Sequence, residues 1–190
     1  MKKKHGMLIQ GLVTIRQGDR VIVRDIPNHF VDNGLKGLIS QIINAGHDSG
    51  GSHTYHYLWE NGWNMYLGSD TTTVTTTTMT ALVSPIGTAP GTSPNSKSGS
   101  LKDGSTDGVW NGVFLATWNS GTVSGTCGEL GLYGKPPTNQ TAFGWRPTYT
   151  YNPTAAMFSR LASADADFSS FVINTDVPLT VEWKVQCSFV

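Results

Sequence analysis

Charge is what this sequence has least of. Of its 190 residues 14% are charged, where a soluble domain usually carries about a quarter. The 13 Lys and Arg are balanced by 13 Asp and Glu, so neither sign is in surplus. A chain that lives on nucleic acid needs a basic surface, and beyond Lys2-Lys3-Lys4, which reads as a solvated tail, none is written here. Long apolar runs are missing too. None approaches the roughly 18 residues of a membrane span, and the N-terminal stretch lacks a signal-peptide core and cleavage site. The expectation is synthesis in the cytoplasm without export, and no membrane partner. Cysteine is limited to Cys127 and Cys187, too few for a disulfide framework and suited to a reducing compartment. Both lie in strand-like stretches and could be neighbours; two buried free thiols are the simpler reading.

The place of the missing charge is taken by Gly and Thr, both poor helix formers. The length suits one domain, with room for a long insertion. A single stretch repeats with helical spacing. Val31, Leu35, Leu38, Ile39, Ile42 and Ile43 form one apolar stripe ahead of a stop at Asn44-Ala45-Gly46. Before it, residues 1–28 read as an N-terminal hairpin, with strands Leu8 to Arg16 and Val21 to Arg24, a turn at Gln17-Gly18-Asp19-Arg20, and Pro27 ending the second strand.

Residues 29–190 read as one β-sandwich with that helix packed on it. Trp63 to Gly68 is a short strand. Residues 71–80 hold eight threonines, whose hydroxyls can satisfy backbone groups locally. Met79 to Ile86 is expected to make one helical turn against the core. Residues 87–108 turn to Gly, Ser, Pro, Thr and Asp and read as a long arm, and 135–153 as a second excursion. Val113 to Trp118 and Thr122 to Tyr133 are expected to form a hairpin around Asn119-Ser120-Gly121, followed by short strands at Met157 to Leu161 and Phe168 to Ile173. From Leu179 to Phe189 apolar and polar residues alternate strictly, the pattern of a half-buried antiparallel strand. Glu129, Glu182 and Lys184 are too few to solubilise a sheet face by charge, so a flat neutral surface suited to contact between copies is expected.

Chemistry-bearing constellations are thin. His47, His53 and His56, with Asp48 and Glu60, are the only weak candidates for metal ligands, and no regular element holds their spacing. Asp165 with Asp167, and Asp103 with Asp107, lack the glycine turn and oxygen count of a calcium loop and read as turn residues. No nucleophile elbow, zinc-protease helix or phosphate loop is present. Neither an enzyme nor a cofactor is expected. Aromatics are the better candidates for interaction: Tyr55, Tyr57, Trp59 and Trp63 in one group, Trp145, Tyr149 and Tyr151 in another. Such rings stack on sugars or anchor protein contacts, while Trp59 and Trp63 could equally fill the core.

Four segments in order resemble a widespread group of small tailed-phage structural proteins. HFVDNGLKGLISQII (29–43) resembles its "N-x-G-L-x-x-I" helix. WNMYLGSDTTT (63–73) with MTALVSPI (79–86) is similar to its "I-x-L-G-T-G-T-x-x-P … D-T-A-L-x-x-x-I" segment. GTCGELGLYG (125–134) resembles its "G-x-I-x-E-A-G-L-F" strand, and residues 158–189 its closing "L-A-R-V … L-T-V-x-W-x-x-x-F". Gly68-Ser69-Asp70 stands where the group has G-T-G, and the stretches at 87–108 and 135–153 are longer than its pattern. The resemblance implies a virion protein of the tail tip, baseplate or fibre attachment, or a decoration protein on the capsid. Its partners would be copies of itself in three- or six-fold symmetry and other virion proteins. A carbohydrate-binding module for a host surface glycan is a further reading.

Overall fold

The computed structural model describes residues 7–32, 34–35, 63–103, 109–134, 156–165 and 168–189. These form an almost wholly β structure of antiparallel pairs, with strands β1 (Met7–Gln17), β2 (Arg20–Phe30), β3 (Asn64–Gly68), β4 (Ser96–Asp103), β5 (Val109–Trp118), β6 (Gly125–Cys127), β7 (Glu129–Gly134), β8 (Ala156–Ala162), β9 (Phe171–Ile173) and β10 (Leu179–Phe189). Eight of them make one sheet in the order β3-β7-β8-β2-β1-β10-β5-β4, and β6 pairs with β9 in a ribbon of two.

The expected hairpin opens the chain and is longer than its apolar pattern. Gly18, at φ 56°, takes the first central position of a two-residue turn, where a positive φ makes the strands' twist match. Pro27 does not end β2. It sits opposite Leu12, and the strand runs on to pair His29 with Arg160 and Phe30 with Ser159 of β8. A residue without an N–H is tolerated there because β2 is changing partner: among the described residues its pairing with β8 begins only at His29. Two register shifts on the β1 side bend β2, and Asp25, at φ 48°, lies in one of them, in a left-handed conformation that Asp tolerates better than most residues.

This bend makes β2 a corner. On one side lie β1, β10, β5 and β4; on the other, β8, β7 and β3. The inner faces of both halves bury one core that includes Val13, Ile15, Phe114, Trp118, Leu130, Leu132, Leu161, Val181 and Trp183. The two ends of the sheet approach through side chains: the ring of Trp63, just before β3, meets Phe114 of β5 edge-on at 5.2 Å, and Lys97 of β4 donates to the Trp63 carbonyl at 2.6 Å. β10 follows its alternation, with Val181 and Trp183 fully buried and Glu182 and Lys184 on the other face.

Several expectations are corrected. Asn119-Ser120-Gly121 turns the chain, with Gly121 at φ 75°, but joins no hairpin. β5 pairs with β10 and β4 instead, because the longer β10 and the edge strand offer it ten and eight paired positions. The arm at 87–108 contains β4; its Ser-Lys-Ser-Gly-Ser composition hides a strand because exposed edge positions need no apolar alternation. Met79 to Ile86 forms no helical turn. It packs back on the sheet in irregular form, with Leu82 buried and Pro85 bridged to Gly68; Pro85 has no N–H to continue a helix. The expected helix begins as a turn in which Leu35 donates to the Val31 carbonyl at 3.1 Å, and its remainder lies outside the described residues, as does the 135–153 excursion. Among the described residues no helix is long and apolar enough to cross a membrane.

Candidate interaction surface

The two halves of the sheet treat their outer faces in opposite ways. Over β3, β7 and β8 the Thr-rich segment after β3 is folded down and clasped. Its anchor is Arg160 on β8, paired across the ladder with Gly131 of β7 and completely buried. Its Nε and one terminal nitrogen donate to the same Glu129 carboxylate oxygen at 2.9 and 2.7 Å. That nitrogen also reaches Asp70 at 3.1 Å, while the other donates to the Thr73 carbonyl at 2.7 Å and the Thr75 hydroxyl at 3.1 Å. All five guanidinium N–H groups are thereby used. Glu129 in turn accepts from the backbone N–H of Ser84 at 2.8 Å and of Val83 at 3.3 Å. Asp165 takes the Thr75 N–H at 2.8 Å and its hydroxyl at 2.5 Å. Burial pushes the Asp70 pKa upward, but hydrogen bonds from Thr73 and Thr72 outweigh it and hold the carboxyl below its ordinary value.

Glu129, counted from sequence among the charges of a sheet face, is instead a buried ion-pair partner. Beside the pair, the Tyr133 hydroxyl accepts the Leu82 N–H at 2.7 Å, and burial raises its pKa to about 12. Tyr66 packs edge-on against it at 5.0 Å. With its donors saturated, Arg160 has none left for a substrate. The cluster's work is to hold residues 70–84 against the sheet.

Over the other half no described segment is folded down in this way. Its outer face, across β1, β10, β5 and β4, carries Leu8, Gln10, Leu12, Thr14 and Arg16, then Thr180, Glu182, Lys184 and Gln186, then Asn111, Val113, Leu115 and Thr117, then Ser96, Ser98 and Ser100, with Thr14 and Val113 buried. The polar groups tie to one another across the strands. Gln10 donates to Gln186 at 2.6 Å, Gln186 donates to Asn111 at 3.0 Å, and the Thr117 and Thr180 hydroxyls meet at 3.3 Å. Lys184 lies 2.9 Å from Asp25 and 3.3 Å from Glu182, while Arg16, opposite Thr180, is exposed. The hydrogen bond from Lys184 lowers the Asp25 pKa, and its counterpart raises that of Lys184. The result is a sparsely charged sheet face with Leu8 and Leu115 exposed.

The edges differ in the same way. The outer flank of β3 is covered, since Ile86 donates to the Leu67 carbonyl at 2.8 Å and Ser69 to the Ser84 carbonyl at 2.8 Å. On β4, residues 96–100 are all exposed, and among the described residues no backbone pairs with its outer flank.

Of the residues singled out in the sequence, Trp63 is 2% exposed and belongs to the core; as an interaction residue it is corrected, because its ring is spent on Phe114 and Lys97. Tyr55, Tyr57, Trp59, Trp145, Tyr149, Tyr151, His47, His53 and His56 lie outside the described residues, as do Asp107 and Asp167. Among the described residues no three His, Cys, Asp or Glu side chains gather as metal ligands. Cys127 and Cys187 are both free thiols, the first fully buried and the second half-buried, and burial raises the pKa of each. The clasp escaped sequence reading, though its signal was there: one Arg in the apolar run Met157 to Leu161 and one Glu among Gly and Leu at 128–132, each charge lacking a counter-charge nearby in the chain. No family model, curated protein or solved structure matches the chain.

Proposed function

We propose that this chain is a structural subunit of a tailed-phage particle, built into the tail at the tip, baseplate or fibre attachment, and that it works by association between copies and packing on other virion proteins. The observation that carries the reading is the order of four motifs along residues 29–189. The buried pair adds weight: Glu129 lies in one of these motifs and Arg160 in another, and the two close on each other at 2.7 Å. Residues that recur in such a pattern without a substrate to touch are accounted for by holding one fold together. The sparsely charged outer face is the second support, since a surface whose polar groups pair across the strands loses little by being covered.

On this reading the fold is a sandwich with β2 as its corner, a helix following Val31 laid against it, and no reaction chemistry. Immunodetection with calibrated mass spectrometry on purified particles of the encoding phage tests it. A few copies per particle are expected. Hundreds would move the chain to the capsid surface as a decoration protein, and absence from the particle would overturn the virion reading.

A further inference from the structure

Where β2 turns the corner, one amide is folded into the core. Asn28 stands opposite Gly11 of β1, and His29 and Phe30 then pair with β8. A Cβ on Gly11 would lie 2.1 Å from Asn28 Oδ1 and 2.6 Å from both its Cγ and its Nδ2. The side chain that Gly11 lacks is therefore the space the amide fills. In the same row across the sheet Gly11 faces Val185, and Val185 faces Gly112, so two inward positions of this row carry no side chain. Two residues along the strands, Val13, Trp183 and Phe114 make the next inward row, and Trp183 is 0% exposed.

The polar groups at this corner do not close among themselves. Among the described residues nothing accepts from the Trp183 indole N–H, and with Asn28 Oδ1 toward Ser159 the buried Asn28 Nδ2 is equally unmatched. Ser159 decides how the amide lies. Its hydroxyl oxygen is 2.6 Å from Asn28 Oδ1 and 2.7 Å from the His29 carbonyl, yet it has one proton for these two acceptors. The carbonyl can only accept. The amide can turn over, donate to the hydroxyl and send its oxygen to the buried side. The core then holds one unmatched acceptor, on Asn28, and one unmatched donor, on Trp183. We propose that a single water is bound between them, accepting from the Trp183 indole N–H and donating to the Asn28 carbonyl oxygen. The spacing suits it. The amide occupies the Cβ place of Gly11, a diagonal neighbour of Trp183 across β1 and β10, and such positions lie about 7–8 Å apart. An indole reaching into that gap leaves the width of one water, which needs polar partners and space free of side chains; Gly11 and Gly112 keep that space free. The water ties β2 to β10 and the amide N–H ties β2 to β8, so one side chain holds both halves of the sheet at their corner.

Proton NMR of the 15N-labelled full chain tests the site. The Trp183 indole proton is identified by its disappearance in Trp183→Phe. In the wild type it is expected to show a cross-peak to water whose nuclear and rotating-frame Overhauser effects have opposite signs, the mark of a water that tumbles with the protein. The Asn28 amide protons are expected to lie against the Ser159 β protons. Absence of the water cross-peak, or amide protons that contact the indole proton instead of Ser159, overturns the proposal. In Asn28→Ala, shown to be folded by its melting curve, the water cross-peak should be lost, and its persistence there removes Asn28 as the partner. The wild-type spectra decide the matter even if that variant does not fold.

Discussion

Replacing Arg160 by methionine removes its guanidinium from the clasp over β7 and β8 while leaving a side chain of similar reach. Arg160 and Glu129 are both 0% exposed, so the variant strands a carboxylate where water cannot reach it. Breaking a buried ion pair from one side costs about 3–5 kcal/mol. For a domain of this size each kcal/mol moves Tm by about 2–4 °C, which places the variant roughly 6–20 °C below the wild type. Urea unfolding followed by tryptophan fluorescence measures the loss. The same variant should speed hydrogen exchange at the amides of Thr75, Val83 and Ser84, which bond to Asp165 and Glu129. Two companions sharpen the reasoning. Arg160→Lys keeps the charge but not the planar fork and should recover only part of the loss. Adding Glu129→Gln to Arg160→Met should raise stability above the single variant, because the glutamine keeps a carbonyl for the Ser84 N–H and removes the unpaired charge. A loss under about 1 kcal/mol in Arg160→Met, or a double variant less stable than the single, would refute the clasp.

Four further outcomes follow from the same structure. Trp63→Ala should cost about 3–5 kcal/mol in chemical denaturation, which separates a core tryptophan from a surface one, whose truncation would leave stability within about 0.5 kcal/mol. Gly134→Ala would press its methyl group into the Phe158 ring and should lower the urea midpoint by the equivalent of about 1–3 kcal/mol. Asp25 and Asp70 both have pKa values lowered from 3.8; their stabilisation is fully present above that value and drains away as pH falls through the lower folded values, so urea midpoints should fall from pH 5 to pH 3. Asp25→Asn, which keeps the turn-forming shape and an acceptor for Lys184 but no titrating charge, should flatten that fall. Cys127, fully buried, should stay unreactive toward a thiol reagent until the chain unfolds, while Cys187 reacts in the native state.

The β class, the opening hairpin and β10 were legible in the sequence because each is a local property. A strand buried on one face must alternate, as Leu179 to Phe189 does, and a Gly at a two-residue turn marks its own φ. The edge strand β4 was not legible, since its residues answer to solvent on their exposed side and carry no period. Partnership was also hidden: Thr122 to Tyr133 follows a good turn after β5, yet β7 pairs with β3 and β8, because a strand's neighbours are settled by which faces the whole chain must bury. The clasp lay beyond sequence reading for the same reason. Arg160 and Glu129 are 31 residues apart, and a charge in an apolar strand looks like surface until folding brings its counter-charge beneath the same loop. Alternation, turns and scarcity of charge belong to the chain alone; which charge is buried, which edge is covered and which is left open belong to the tertiary structure, where burial sets the strength of each electrostatic pair.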